Sequence, residues 1–260
     1  MRTRSDHPGL RALARFGLVA RGAVYAVIGI LSLKLALGSG GKTESQTGAL
    51  ATIAKQRFGS VLLIVLAVGL AAYAIWRLTV GFNRSGRESK ASKRIAAIGS
   101  GLAYAVLAYA AVKIIVGSRT SSSGSPKHTT AGVLGWPGGP ELVLIAGLAL
   151  IGVGVYQAHK GIAKKFLEDA QTGRMRGSTL RVFTALGIAG HVARGVTFGL
   201  IGYGLSKAAI DYSAKSAIGL DGALAKLAHA SAGPILLGLV AAGFIAFALY
   251  SIADSRYHTL

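Results

Sequence analysis

The chain has 260 residues, of which 52% are hydrophobic and only 15% are charged, and its mean hydropathy is +0.53. A soluble domain carries about 25% charged residues, so this composition excludes an ordinary soluble protein. Cysteine is absent, which excludes disulfides and thiolate metal sites. The net charge of +20 would indicate nucleic-acid binding in a soluble protein. Here no aromatic residues are interleaved with the basic ones for base stacking, and we expect no nucleic-acid partner.

Six apolar segments follow one another along the chain, and most approach the roughly 20 residues that a helix needs to cross a hydrocarbon core. In chain order they are 18–37, 59–76, 95–112, 142–156, 182–205 and 233–253. The basic N-terminus is similar to the start of a signal peptide, but no small-residue cleavage site follows it. We therefore interpret the first segment as a retained helix. The sequence predicts an all-α integral membrane protein with six transmembrane helices.

Basic residues alternate between the two sides of this predicted membrane domain. The segments 1–16, 81–94, 159–181 and 254–260 together hold 16 Lys and Arg, whereas the intervening segments 38–58, 117–139 and 207–232 hold 8. Because Lys and Arg are retained on the inner side, this bias predicts that both termini are cytoplasmic and that the protein lies in the plasma membrane. The short basic loops would also attract anionic lipids, by about 1 kcal/mol per basic residue near the surface.

The chain contains three copies of one helical hairpin. The stretches GLVARGAVYAVIGILSLKLALG, AAIGSGLAYAVLAYAAVKIIVG and GHVARGVTFGLIGYGLSKAAID, which begin at Gly17, Ala96 and Gly190, align without gaps. Each second helix begins at a glycine that lies 17 residues before an aromatic residue. Parallel repeats predict a pseudo-threefold axis along the membrane normal, unless the hairpins line up side by side. The repeats are 14–82, 93–166 and 181–255, in one membrane domain after a basic N-terminus of residues 1–13.

The pattern ARFGxxARGxxYxxIG, which begins at Ala14 and recurs in tandem, resembles the bacterial membrane proteins grouped as DUF1206. The resemblance covers residues 14 to about 255. It implies a six-span protein of the prokaryotic plasma membrane, and it implies no activity. The middle copy departs from the pattern, because Ser100 replaces the second arginine and Ala108 replaces the last glycine. The middle copy therefore does not support a role that needs three identical arginines.

The stretch ALGSGGKT, residues 36–43, fits the relaxed form of a phosphate-binding loop. Such a loop functions only between a buried strand and a helix, whereas a repeated membrane helix precedes Ala36. The equivalent loops of the other repeats contain no Gly-Lys-Thr, and the charge bias places Lys42 outside the cytoplasm. We interpret the stretch as a glycine-rich helix exit, and we expect no nucleotide and no cofactor.

Six side chains within the spans are candidate contacts for an anion or a lipid headgroup: Arg21, Arg194, Lys34, Lys113, Lys207 and His191. The two arginines lie at equivalent positions, about a turn from the cytoplasmic end. There they either snorkel to the headgroups or bind phosphate with the guanidinium fork. The lysines lie at the outer ends of the odd-numbered helices, where they either anchor the interface or form a ring that attracts an anion. The histidine is either a polar anchor or a proton relay.

The sequence shows no catalytic constellation. No histidines have metal-ligand spacing, and we identify no His or Asp that would activate Ser32, Ser206 or Ser251, so we expect no enzyme activity and no metal. We predict a structural or lipid-interacting membrane protein, as a homo-oligomer or with a membrane-protein partner. The alternative is a small anion channel or transporter, which would need a polar cavity or discontinuous helices near mid-membrane.

Overall fold

A computed structural model describes residues 8–82, 91–117 and 126–258. Six long helices dominate these ranges: α1 Pro8–Ala36, α3 Gly59–Phe82, α4 Ala91–Ile115, α6 Gly139–Ile162, α7 Gly177–Ile210 and α9 Gly233–Tyr257. All six contain a stretch that is long and apolar enough to cross a membrane. The described ranges contain no strand, only one isolated bridge between Ala170 and His258. The predicted all-α fold with six membrane helices is confirmed.

Each repeat also contains a short helix between its two long ones, which the sequence analysis did not predict. These helices are α2 Gln46–Ala54, α5 Pro126–Leu134 and α8 Leu220–Ala228. The Ser45 hydroxyl accepts a hydrogen bond from the Gly48 N–H at 3.0 Å and caps the first of them. Each short helix buries a leucine against the long helices: Leu50, Leu134 and Leu224. The short helices cover one end of the bundle, here called the outer end, and the opposite end is called the inner end.

The tightest helix pairs join neighbouring repeats. Helix α3 packs on α4, α6 on α7, and α9 on α1, so that the second helix of one repeat meets the first helix of the next. The same glycine position makes all three contacts: Gly22 lies against the Ala248 carbonyl, Gly101 against the Ala74 carbonyl and Gly195 against the Gly154 carbonyl. A Cβ at these glycines would lie 2.9, 3.2 and 2.8 Å from those oxygens, so only small residues permit this approach. The three equivalent interfaces give the bundle its pseudo-threefold arrangement.

The ring of helices has one opening, between α4 and α6. In repeats 1 and 3 the two long helices touch through small residues, namely Gly17 on Tyr73, Gly69 on Ala20, Gly190 on Phe247 and Gly243 on Ala193. The equivalent residues of repeat 2 are Ala96, Val153, Ala149 and Gly99, and all four are exposed. Both alanines replace a glycine whose missing Cβ permits close packing elsewhere. As a result, 28% and 17% of the apolar windows of α4 and α6 are buried, against 39% or more in the other four spans.

The glycine-rich stretch 36–43 is the exit of α1. Gly38 has a left-handed backbone, with φ +69°. The N–H groups of Gly38 and Ser39 donate to the carbonyls of Leu35 and Lys34 at 3.0 and 2.8 Å, which is the Schellman pattern of a helix C-terminus. The next residues are extended, and Lys42 forms an ion pair with Glu44. No strand precedes the loop, since α1 does, and the observed conformation is the predicted helix exit.

Candidate functional site

Three arginines lie at equivalent levels of the bundle, and each contacts an uncharged polar side chain on the neighbouring helix. Arg21 Nε donates to Ser251 Oγ at 2.9 Å, and Arg77 Nε donates to Ser100 Oγ at 3.2 Å. Both terminal nitrogens of Arg194 donate to the side-chain oxygen of Gln157, at 3.1 and 3.2 Å, when the Gln157 amide is oriented with its oxygen toward the guanidinium. Each pair bridges one of the three tight interfaces described above. The six residues occupy only two positions of the repeat, and we call them the arginine layer.

The arginine layer restores the third arginine that the repeat motif lacks. Ser100 stands on α4 where the first helices of the other repeats carry Arg21 and Arg194. The missing guanidinium comes from Arg77 on α3, directly across the same interface. The alignment of the second helices could have indicated this exchange, because it places Arg77 opposite Gln157 and Ser251. Arg77 was nevertheless not among the predicted site residues, because the sequence alone does not show which helices become neighbours.

Arg21 is enclosed by polar partners from two other helices. Its Nη1 donates to the Tyr73 hydroxyl at 2.9 Å, and its Nη2 lies 3.8 Å from the Asp254 carboxylate. Asp254 also pairs with His258 at 3.0 Å. The exposed fractions of the Arg21 and Asp254 side chains are 11% and 5%. Asp254 was counted with the C-terminal cytoplasmic segment in the sequence analysis, so this buried carboxylate was also missed.

Arg194 lies among aromatic rings and lacks an acidic partner. Its guanidinium carbon is 4.5 Å from the centre of the Phe247 ring and 5.5 Å from the rings of Tyr25 and Phe198. Arg21 lies 5.0 Å from the same Phe247 ring, so both cations contact one aromatic ring. Arg194 Nε is buried without an acceptor, and no carboxylate in the described part of the chain forms a salt bridge with this residue. Arg194 therefore carries a positive charge that no carboxylate in the described part of the chain pairs with.

Both predicted arginines lie deeper than one turn from the inner end. Arg21 follows Arg11, the first residue of its apolar span, by ten residues, which is about 15 Å along a helix. Its guanidinium points to Tyr73 and Ser251 rather than along the helix toward the headgroups. For Arg21 the structure thus differs from the snorkelling interpretation, because partners inside the bundle, Asp254 among them, already engage its charge.

The three predicted lysines are not part of the arginine layer. All of them are exposed near the outer ends of α1, α4 and α7: Lys34, Lys113 and Lys207. Each follows, by one turn, a residue that is itself 47% to 63% exposed: Ile30, Tyr109 and Tyr203. Lys113 Nζ lies 5.4 Å from the Tyr109 ring, and Lys207 pairs with Asp211 on its own helix at 2.9 Å. These local contacts fit interface anchors better than a ring around a central axis.

His191 is buried in an aromatic cluster near the inner end. Its Nδ1 lies 2.8 Å from the Gly187 carbonyl, and its ring stacks on Phe166 with centroids 5.2 Å apart. The rings of Tyr250 and Phe247 meet its edges at 5.3 and 5.6 Å. Only 5% of His191 is exposed, so it packs inside the bundle rather than serving as an anchor at the membrane surface.

Part of the arginine layer lies on the two helices that border the opening, α4 and α6. Ser100 and Gln157 lie on these two helices, and both residues are only partly buried, as is Arg194. Tyr104, one turn after Ser100, is also partly buried, and it lies within electrostatic reach of Arg21 and Arg194. A ligand in the opening would therefore meet polar groups of the layer on one side and apolar helix surface on the other.

Comparisons with known proteins agree with the repeat structure. The family model described as Domain of Unknown Function (DUF1206) matches residues 16–84, 95–164 and 189–258, one match for each repeat. A Bacillus subtilis (strain 168) protein named "Uncharacterized protein YxxB" is 31% identical to this chain over 257 residues, which cover 96% of this chain and 92% of that protein. No solved structure matches. Because the family model matches most of the chain in three tandem segments, the chain belongs to the DUF1206 family.

Proposed function

We propose that this chain is a plasma-membrane protein that binds an anionic lipid, with both termini in the cytoplasm. The lipid phosphate would contact Arg194, and an acyl chain would lie in the opening between α4 and α6. One observation carries the proposal: Arg194 is partly buried, has no carboxylate partner in the described part of the chain, and lies beside a gap in the ring of helices. The role is one of binding, and we assign no catalytic step to it.

The chemistry of Arg194 favours an anionic ligand. An ionisable residue inside a membrane domain is costly, and such residues mark functional sites by default. Asp254 pairs with Arg21 and His258, so its charge is already engaged. The planar guanidinium presents donors that match phosphate oxygens, and the low local dielectric strengthens such a contact. Phosphate at Arg194 would therefore satisfy a charge that the protein itself leaves without a counterion.

The walls of the opening favour a lipid over a free ion. Gly99 on α4 and Ala149 and Val153 on α6 form an exposed apolar surface between the two helices. Further exposed apolar side chains continue it along the same helices, among them Leu102 and Ile145, which are 56% and 63% exposed. Acyl chains cover such surfaces in a bilayer, so the opening can admit a lipid laterally.

The anion channel remains the alternative, but fewer observations support it. The helices of the arginine layer are continuous through the bundle, whereas transporter sites often use discontinuous helices. Between the layer and the outer end, the buried side chains of Tyr25, Ile28 and Phe244 pack together. The predicted lysine ring lies on exposed helix faces. These features support a packed interior with lateral access rather than a pore.

The experiment measures how much lipid the purified protein retains. The wild type and Arg194→Gln would be reconstituted in nanodiscs with equal phosphatidylglycerol and phosphatidylcholine, extracted mildly, and analysed by native mass spectrometry. We expect the variant to retain about tenfold less phosphatidylglycerol, because it loses hydrogen bonds from a charged donor. Lys207→Gln removes one exposed charge from the same helix and should retain as much as the wild type. Equal retention by Arg194→Gln and wild type would refute the proposal.

A matched pair of bulky substitutions tests the route through the opening. Val153 occupies the repeat position of Tyr73 and Phe247, so Val153→Phe would place an aromatic ring in the gap. Val155, on the other side of α6, is 65% exposed and corresponds to the exposed residues Ile75 and Leu249. We expect Val153→Phe to reduce lipid retention and Val155→Phe to leave it unchanged. The channel would instead be supported by two results together: the wild-type protein retains no lipid, and it conducts anions in liposomes in a way that Arg194→Gln abolishes.

A further inference from the structure

A second basic site lies at the inner end of the bundle, outside the arginine layer. Four arginines line two adjoining cavities there: Arg11 and Arg15 from the start of α1, Arg174 from the segment between α6 and α7, and Arg256 from the end of α9. The cavities have volumes of about 120 and about 380 Å³ and share Arg15 and Arg174 in their walls. Gln171, Tyr257 and His258 complete the lining, and none of the described residues in it is acidic. We call these two cavities the arginine pocket.

The walls of the arginine pocket are fixed by contacts between distant segments. The Gln171 N–H donates to the Tyr257 carbonyl at 2.7 Å, and its side-chain amide donates to the His258 carbonyl at 3.3 Å. Arg174 Nη1 in turn donates to the Gln171 side-chain oxygen at 2.8 Å. The segment is held from beneath by Phe166, which is fully buried. These contacts attach the segment after α6 to the end of α9, so two walls of the pocket are held together, while the four arginine side chains are exposed.

We infer that the arginine pocket binds a phosphate monoester group presented from the aqueous phase at the inner end. Arg15 and Arg174 line both cavities, and Arg256 lines one of them, so several guanidinium groups converge there and favour a ligand with more than one negative charge. Guanidinium forks match the geometry of phosphate oxygens, and a monoester carries close to two charges at neutral pH. The group has two possible sources, a small soluble phosphate compound or the headgroup of phosphatidic acid. The site is independent of the lipid proposed at Arg194.

Calorimetric titration of the purified full-length protein in detergent tests the site. The soluble probe is glycerol 3-phosphate, a phosphate monoester. The lipid probe is phosphatidic acid in phosphatidylcholine vesicles, and retention of the protein on these vesicles is compared with retention on phosphatidylcholine alone. The test variant Arg15→Gln/Arg174→Gln removes the two arginines that both cavities share. The control variant Arg176→Gln/Arg181→Gln removes two exposed arginines of the same face that do not line the pocket. Both variants lose the same charge, so nonspecific attraction would affect them equally.

We expect saturable binding of at least one probe by the wild type, and an affinity at least about tenfold lower for the test variant. The control should stay within about twofold, because it loses only long-range attraction that salt screens. Glycerol 3-phosphate binding lost in the test variant would identify a soluble ligand, and loss confined to phosphatidic acid vesicles would identify a lipid headgroup. Equal losses in both variants, or no saturable binding of either probe, would overturn the inference. Retention of phosphatidylglycerol at Arg194 should be unaffected in either case.

Discussion

Exchanging Arg77 and Ser100 tests whether the arginine layer is built from equivalent positions. The double variant Arg77→Ser/Ser100→Arg would give the α3–α4 interface the residue order of the α9–α1 interface. There, Arg21 on the first helix donates to Ser251 on the second at 2.9 Å. If the positions are equivalent, the new guanidinium should still meet a hydroxyl across the interface. We expect the exchanged protein to be within about 1 kcal/mol of the wild-type free energy of unfolding, the ordinary scale of a single substitution.

The single substitutions should cost more than the exchange. Arg77→Ser removes the hydrogen bond from Arg77 Nε to Ser100 Oγ, which is 3.2 Å long in the wild type. A bond from a charged donor contributes about 1.5–3 kcal/mol. Ser100→Arg alone would bring two guanidinium groups together, and two like charges about 4 Å apart at an effective dielectric constant of about 20 repel by about 4 kcal/mol. The exchange removes both penalties, so the two substitutions should couple strongly.

Thermal unfolding in detergent measures these differences. Trp76 provides a local fluorescence signal, since the guanidinium of Arg77 lies 5.6 Å from its ring. A loss of 1 kcal/mol lowers Tm by about 2–4 °C in a domain of 150–250 residues, so each single variant should unfold several degrees below the wild type. The exchanged variant should recover most of that loss. An exchanged variant no more stable than its weaker single parent would refute the equivalence of the two positions.

Three further predictions concern the lysines, the topology and the glycine-rich loop. Changing Lys34, Lys113 and Lys207 together to Gln should leave anion uptake by liposomes that contain the protein unchanged, because these side chains lie on exposed helix faces. A lower uptake by this variant, with a difference from the wild type that becomes smaller at high salt, would contradict this prediction. Topology reporters placed after Leu260 and at Arg87 should give a cytoplasmic signal, and one at Ser122 should give an external signal. These three sites lie outside the described residues, and an external signal at Arg87 would contradict the topology predicted from the charge bias. Lys42→Ala should leave the protein indifferent to ATP, and saturable ATP binding that this change abolishes would establish a nucleotide site.

The six spans and the repeat could be predicted because their signals are local. Apolar length identifies each membrane helix, and the glycines that begin each second helix recur at a fixed spacing. The short helices between them could not be identified in this way, since nine residues such as Gln46–Ala54 give little periodicity. Their stability depends on burying Leu50 and its equivalents against long helices, which is a tertiary effect.

The arginine layer was harder to predict because it depends on which helices meet. The sequence suggests that helices pair within each hairpin, whereas the tightest interfaces join different hairpins. Arg21 and Arg194 were found from their equivalent positions, but Arg77 becomes their counterpart only when α3 packs on α4. Asp254 was missed for a related reason: only the contact between α9 and α1 brings its carboxylate to Arg21, 233 residues earlier in the chain.

The departures of the middle repeat have a common structural consequence. Ala96 and Ala149 replace glycines that hold the two long helices together in repeats 1 and 3, and Val153 replaces a buried aromatic residue. If the middle hairpin also had these glycines and the aromatic ring, α4 could pack directly on α6. The opening between them would then close, and the arginine layer would be sealed from the membrane. The third guanidinium is kept nonetheless, because Arg77 supplies from α3 what Ser100 does not. The middle repeat thus preserves the polar layer while its own two long helices stay apart, and it is this gap through which, in our proposal, a lipid reaches Arg194.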